Sequence, residues 1–497
     1  MKDYSFGNYI CKLRERRGLS QFQLGALVGV TDKAVSKWEN GDAKPRISTF
    51  YRLADVLDVS VDELLSCEKM ITPSARKELE KLNKRLWRSA YEKLSATYAG
   101  KPPVVCWSRL AAEEAALADT NAIQVIAVVG AIVKEAHEQG SVIFAAGTFN
   151  SSYAAWLFGA TSVNPLEAHY YCPYCGNVEF VADVSDGFDL EPKRCPCGHA
   201  FKRDGHNIPF EGYAKGERAL GSYVEVRLSE RMKLVAAKVI NDFYQGKAEI
   251  LPIKIQESEP EWCMEKYVVL PPQKKRPTLN EDGFWHTDSE TYWNWHEEEI
   301  SFSLITHSKL EELDKLQERT HAILPSLDML VTKENVVSLC QEKCQQDKPH
   351  IFNTEPSSFS MLVHIEAASH ASFDLEALEN IAETGSLDLS QLPTCREDIW
   401  YMVNGRLKEK GIHWNGLALQ VMENTRKGRY YAKGIPAGVE RMLLELGITT
   451  EYIASLRKTL YLFPKGHIIA VLLLSLMEQW YRQNYPEAFV CCSSKRT

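Results

Sequence analysis

The sequence predicts a multidomain protein: an all-α headpiece, a helical linker, and a larger α+β body that closes in an all-α lobe. Three observations carry this. The first seventy residues are cut into short amphipathic helices by capping residues and glycines. The middle holds an apolar strand, SVIFAAG, followed by two cysteine knuckles, CPYC and CPC. The C-terminal part reads as successive helices ending in the apolar run HIIAVLLLSLM. At 497 residues the chain has room for roughly two to four domains, each with its own core.

Composition bounds the function. Apolar content of 45% and charged content of 25% are those of an ordinary globular protein. A net charge of −8 argues against a chain coated with nucleic-acid contacts. It leaves room for a local basic face, since the first 54 residues carry ten Lys/Arg against five Asp/Glu. The thirteen cysteines are scattered apart from the knuckles and a terminal pair, which suits a reducing cytoplasm rather than a disulfide framework. The opening MKDYSFGNYICKLRERRG lacks the apolar core of a signal peptide. HIIAVLLLSLM is too short to span a bilayer, so a buried helix and no membrane partner are expected.

The headpiece, residues 1–68, reads as five short helices. Ile10 and Leu13 share a face of the first. Ser20 caps the second, which is expected to bury Leu24, Leu27 and Val28. Gly29 makes the turn, and Thr31 caps a third helix whose Ala34, Val35 and Trp38 face inward. Two short helices joined at a sharp angle by a glycine turn form a helix-turn-helix. The second of the pair presents its N-terminal residues to base edges while the first touches the backbone. That places Thr31, Asp32, Lys33, Ser36 and Lys37 on the groove side and Gln21 near phosphate.

The run SQFQLGALVGVTDKAVSKWENG, with LADVLDVSVDELL after it, closely resembles the lambda-repressor/Cro (XRE) helix-turn-helix over 6–66 without a gap. The resemblance implies double-stranded DNA as partner and a role in transcription regulation. The third helix begins Asp-Lys-Ala, where many relatives carry a residue able to pair bidentately with adenine, so the operator stays open.

Residues 69–100 read as a helical linker with Leu79, Leu82, Leu86 and Leu94 at helical spacing. Its other face carries Lys77, Lys81, Lys84, Arg85 and Arg88, read as a solvated face, with a DNA-tracking stripe as the alternative. A helix over RLAAEEAALADTNAIQVIAVVGAIVKEAHEQG is expected next, then the SVIFAAG strand.

Cys172-x-x-Cys175 followed by Cys195-x-Cys197-Gly-His199 has the two-knuckle layout of a structural zinc site. The second knuckle is one residue short. Cys197 is favoured as fourth ligand because Pro-Cys-Gly matches a knuckle turn, with His199 the alternative. The surrounding TSVNPLEAHYYCPYCGNVEF…KRCPCGHAFKRDGHNIPFE resembles the zinc-ribbon segment, at about 165–210, of PolC-type bacterial DNA polymerase III. The likeness resumes at FSLITHSKLEELDKLQERTHA and covers CREDIWYMVNGRLKEKGIHWNGLALQVMENTRKGRYY and LRKTLYLFPKGHIIAVLLLSLMEQWYRQNYPEAFV. It implies a polymerase-palm-like region over 101–330, a fingers-like helical region over 331–490 and a tail at 491–497. The family's exonuclease, phosphoesterase, template-duplex-binding and clamp-binding parts find no counterpart in the sequence.

That family's activity is DNA-directed DNA synthesis, which uses two divalent cations about 4 Å apart, held by carboxylates. The resemblance puts its D-x-D pair on Tyr223 and Glu225 and its third acid on Asp314, so one position has lost its carboxylate. The phosphate loop corresponds to FAAGTFNSS, with Phe144 and Asn150 for glycines and Ala146 for an arginine. Arg426, Lys427, Lys465 and His467 stand where the family's fingers present basic groups to nucleotide. The resulting expectation is a DNA-binding regulator with a catalytically inactive PolC-like module, structural Zn²⁺, and no Mg²⁺. Nucleotide, primer-template and a second copy of the chain are candidate partners. An active PolC-type polymerase or a replication-associated factor is the alternative. The cluster FWHTDSETYWNWHEEE (284–299) reads as an amphipathic surface segment, and Cys340/Cys344 as incidental.

Overall fold

The computed structural model describes residues 6–40, 45, 47–59, 73–117, 122–210, 224–246, 248–256, 263–270, 280–281, 284–288, 302–345, 358–374, 392–412 and 416–493. Tyr223, the fifth headpiece helix, and Trp293, Trp295 and His296 of the aromatic cluster lie outside them. The chain divides into two units, 1–81 and 82–497.

Unit one is a helical bundle: Phe6–Arg16, Gln21–Val28, Asp32–Glu39 and Ile47–Leu57. Local signals set the boundaries. The Ser20 hydroxyl accepts from the Gln23 amide while the Gln23 side chain reaches back to the Ser20 amide, a complete capping box. Thr31 accepts from the Ala34 amide and starts the third helix. Between them Gly29 adopts φ +78°, a left-handed conformation that favours glycine. Ile10, Leu13, Leu24, Val28, Val35, Trp38, Leu53 and Leu57 close the core. Leu27 does not join them. It is 57% exposed, because the inward face of so short a helix follows the i, i+4 pair Leu24/Val28 and turns position 27 outward.

Unit two is α+β. Its strands are β1 (Phe144–Gly147), β2 (His169–Tyr171), β3 (Val178–Phe180), β4 (Lys202–Asp204), β5 (Val224–Leu228), β6 (Glu249–Gln256), β7 (Cys263–Leu270), β8 (Trp285–Asp288), β9 (Phe302–Thr306), β10 (Ser372–Phe373) and β11 (Thr459–Tyr461). Six make one mixed sheet in the order β1-β5-β9-β7-β6-β8, while β3-β2-β4 form the ribbon and β10-β11 a small pair. Strand alternation splits β5 cleanly. Val224, Val226 and Leu228 point into a core shared with helices Ala122–Glu138 and Glu230–Phe243. Glu225 and Arg227 take the opposite face. There, antiparallel register sets Ala146 beside Glu225 and Phe144 beside Arg227.

Helix Lys465–Asn484 covers that second face, packing Ile468, Ile469 and Leu472 in one cluster with Phe144 and Ala146. Its Gly466 lets it approach closely, since a Cβ there would lie 2.8 Å from the Asn150 carbonyl oxygen. This is the HIIAVLLLSLM helix, and it is buried. Among the described residues no single helix is long and apolar enough to cross a membrane. The one helix expected across RLAAEEAAL…EAHEQG is two, Val104–Leu117 and Ala122–Glu138. Helices Arg396–Glu409, Gly416–Arg426, Arg429–Lys433, Ala437–Glu445 and Thr450–Arg457 form the all-α lobe around Ile399, Val403, Val421, Met422 and Leu456.

One ion pair ties the headpiece helices together. Glu39 accepts from Arg14 Nε at 2.5 Å and Nη2 at 3.0 Å, and from Gln21 Nε2 at 2.7 Å. Burial pushes the Glu39 carboxyl up, but the donors from Arg14 and Gln21 outweigh it and hold it below its ordinary value. A carboxylate depressed in the folded state contributes stability that is fully present above its unfolded value and is lost as pH falls through the folded one. Headpiece stability should therefore decline below about pH 4.5. Glu39→Ala strands Arg14 and should cost about 3 kcal/mol. Hydrogen exchange resolved over 10–57 should show faster exchange in the variant, and an acid-induced loosening that the variant lacks.

Candidate functional site

The residues expected to meet DNA lie at the start of the third headpiece helix. Asp32, Lys33 and Lys37 are exposed, Ser36 is half-buried, and the Thr31 hydroxyl is used in capping. Gln21 is half-buried and spends its amide on Glu39, which couples the start of the second helix to the end of the third.

The four knuckle cysteines converge. Cys172, Cys175, Cys195 and Cys197 bring their sulfurs within 4.8 Å of one another. Cys172 lies 3.5 Å from Cys197, and Cys175 3.4 Å from Cys195. Four thiolates about 2.3 Å from one tetrahedral ion stand roughly 3.8 Å apart, so the set fits a Zn²⁺ site. His199 stands beside it, with Nδ1 3.5 Å from the Cys197 sulfur and its ring stacked on Tyr174 at 3.9 Å.

Two of the acid positions expected to hold catalytic metal lie in the described residues, and each carboxylate has protein partners. Glu225 is buried on β5, and the strand register sets Ser303 of β9 beside it. Asp314 lies on helix Ser308–Thr320. It accepts from Ser141 Oγ at 2.5 Å and from the Ser229 hydroxyl, with Arg231 Nη2 at 3.3 Å. Ser229 is four residues beyond Glu225, roughly 13 Å along an extended strand. Between them, on the same face, stands Arg227. Its Nη2 and Nε donate to Glu225 Oε2 at 3.0 and 3.3 Å.

The loop after β1 is also tied down. Asn150 donates to the Ala145 carbonyl and accepts from Thr161. Ser152 Oγ donates to Glu113 at 2.7 Å, and the amides of Tyr153 and Ala154 donate to the same carboxylate at 2.8 and 3.1 Å. Glu113 is fully buried and balanced by Arg109 Nε at 2.9 Å. Donors that could cradle a phosphate are thus filled by the chain's own carboxylate.

The expected basic residues carry internal partners. Arg426 makes two hydrogen bonds to Glu423, and Lys427 Nζ lies 3.3 Å from the same group. Lys465 Nζ donates to the His206 carbonyl at 2.7 Å. His467 is buried, and burial with the Arg227 charge lowers its pKa to about 4, so its imidazole is neutral near pH 7. Sequence reasoning missed Arg227, although alternation from Glu225 puts it on the same face. It also missed the Arg109–Glu113 pair, which reaches Ser151 and Tyr153 some forty positions away.

Residues 12–64 match the helix-turn-helix family model. DNA polymerase III PolC-type of Lactococcus lactis is 25% identical over 525 aligned residues, which cover 90% of this chain and 31% of that protein. The PolC-type polymerase of Mycoplasmopsis pulmonis is 25% identical, with 86% and 34% covered, and that of Ureaplasma parvum is 26% identical, with 71% and 29% covered. The chain thus spans about a third of the length of these relatives. It joins a helix-turn-helix to a region homologous to PolC-type DNA polymerase III.

Proposed function

We propose that this chain is a cytoplasmic, DNA-binding transcriptional regulator whose PolC-like body holds structural Zn²⁺ and does not transfer nucleotides. The observation that carries the inactive body is the Glu225–Arg227 ion pair. Nucleotidyl transfer needs carboxylates free to neutralise two cations. Here an arginine already supplies the positive charge that a metal would bring, at the acid that the family resemblance marks. Asp314 is likewise engaged by Ser141, Ser229 and Arg231. Tyr223, at the first acid position, offers a phenol where a carboxylate is required.

The headpiece supports specific duplex binding through the exposed Asp32, Lys33 and Lys37. Phosphate contacts give affinity and base contacts give discrimination. The zinc site pins the ribbon loops and does no chemistry, since four thiolates leave no open coordination position.

Three outcomes follow. Selection from a random duplex library should enrich a defined site, and Lys33→Ala should flatten that preference by about 1–3 kcal/mol at the affected position; a library with no enrichment would remove the regulator reading. Metal analysis of protein purified without chelator should find about one Zn²⁺ per chain, and Cys172→Ser should release it and speed proteolysis within 165–210. Zinc-free protein with an intact ribbon would show that the knuckles no longer bind. Primer extension with Mg²⁺ or Mn²⁺ should stay at background, since an active site short of a metal carboxylate loses orders of magnitude in rate. Template-dependent extension abolished by Glu225→Ala would reverse the assignment.

A further inference from the structure

Helix Pro73–Thr97 has two unlike faces. Leu86, Ala90 and Leu94, at i, i+4 and i+8, are buried together with Trp87. At 100° per residue the opposite face is centred on Lys81, Arg85 and Arg88, with Lys84 at its edge. All four are exposed. Among the described residues none of them has an ion pair or hydrogen bond, whereas Arg109, Arg227, Arg231 and Arg426 in the same chain are each paired with an acid. The stripe ends at Glu92, one turn past Arg88. In a chain of net charge −8 it is a local departure, and it follows directly on the basic headpiece.

Two partners could meet a basic face: an acidic protein surface or a nucleic-acid backbone. The stripe carries no exposed aromatic or aliphatic anchor, which protein interfaces place at their centre. Its length from Lys81 to Arg88 is about 10 Å at 1.5 Å per residue. That matches the span of roughly four successive phosphates of one DNA strand along the duplex axis. Four unpaired cations without base-reading polar groups suit phosphate, and cannot read sequence.

We infer that the exposed face of helix Pro73–Thr97 tracks the phosphate backbone of duplex flanking the headpiece's site, through Lys81, Lys84, Arg85 and Arg88. This rests on the headpiece binding DNA, as proposed above. Once the headpiece is seated, the stripe meets duplex at a high effective concentration, so weak phosphate contacts gain weight. The linker thereby lengthens the footprint without lengthening the recognised sequence.

The test compares the full wild-type chain with the full K81Q/K84Q/R85Q/R88Q chain on the duplex that the wild type selects. Glutamine keeps helix propensity, and matching circular dichroism melts confirm the fold. On a duplex with long flanks, the slope of log Kobs against log salt should fall by about 2 to 3.6 in the variant, while base preference is unchanged. On a duplex trimmed to the recognised site, wild type and variant should share one slope. An unchanged slope on the long duplex, with site-specific binding intact, would overturn the stripe and leave the headpiece reading standing. An equal fall on both duplexes would assign the effect to net charge and likewise overturn it. A wild-type chain that binds no duplex would overturn the headpiece reading, and this one with it.

Discussion

A carboxylate taken out of water has to be met by a cation or by hydrogen-bond donors, and the packing of this chain is organised around that requirement. Glu113, fully buried, gathers Arg109, the Ser152 hydroxyl and two backbone amides, and so fixes the loop that follows β1. Asp189 accepts from the amides of Phe359 and Ser360 and starts a helix. Asp314 draws Ser141, Ser229 and Arg231 onto one point. Glu39 does the same for donors from the first and second headpiece helices.

The same rule bears on function. In a polymerase palm, buried acids stay uncompensated by protein so that metal can complete them. Here the acid on β5 has Arg227 two residues away on its own face. The hydrophobic scaffold is separate from these charges: Val224, Val226 and Leu228 seat the sheet on its helices, and the long C-terminal helix covers the other side. A fold can outlive its chemistry because core packing and site electrostatics are separable.

What the sequence made legible was local. Ser20, Gly29 and Thr31 each act within four residues, so the helix-turn-helix could be placed from its caps and turn. The cysteine knuckles are equally local, and their spacing alone brings four sulfurs to mind before any coordinates do. What resisted reading was set by pairing between distant segments. Which residue stands beside Glu225 depends on the parallel register of β5 and β9, and that register selects Ser303. Glu113 meets Arg109 at i−4 on its own helix, but Ser152, Tyr153 and Ala154 reach it across about forty residues of chain, beyond any periodicity argument. Leu27 failed for a different reason: hydrophobic identity was read as burial, though the short helix had already filled its inward face with Leu24 and Val28. Arg227 was within reach, since alternation along a strand applies to every second residue and not only to the expected pair.

The charge at Glu225 is already met from within, by Arg227. Electron paramagnetic resonance of Mn²⁺ titrated into the full chain with primer-template and nucleotide tests it directly, because Mn²⁺ favours the oxygen ligands that a catalytic site would offer. The account predicts that Mn²⁺ bound by the chain is unchanged in Glu225→Ala. A stoichiometric Mn²⁺ site that Glu225→Ala abolishes would contradict it.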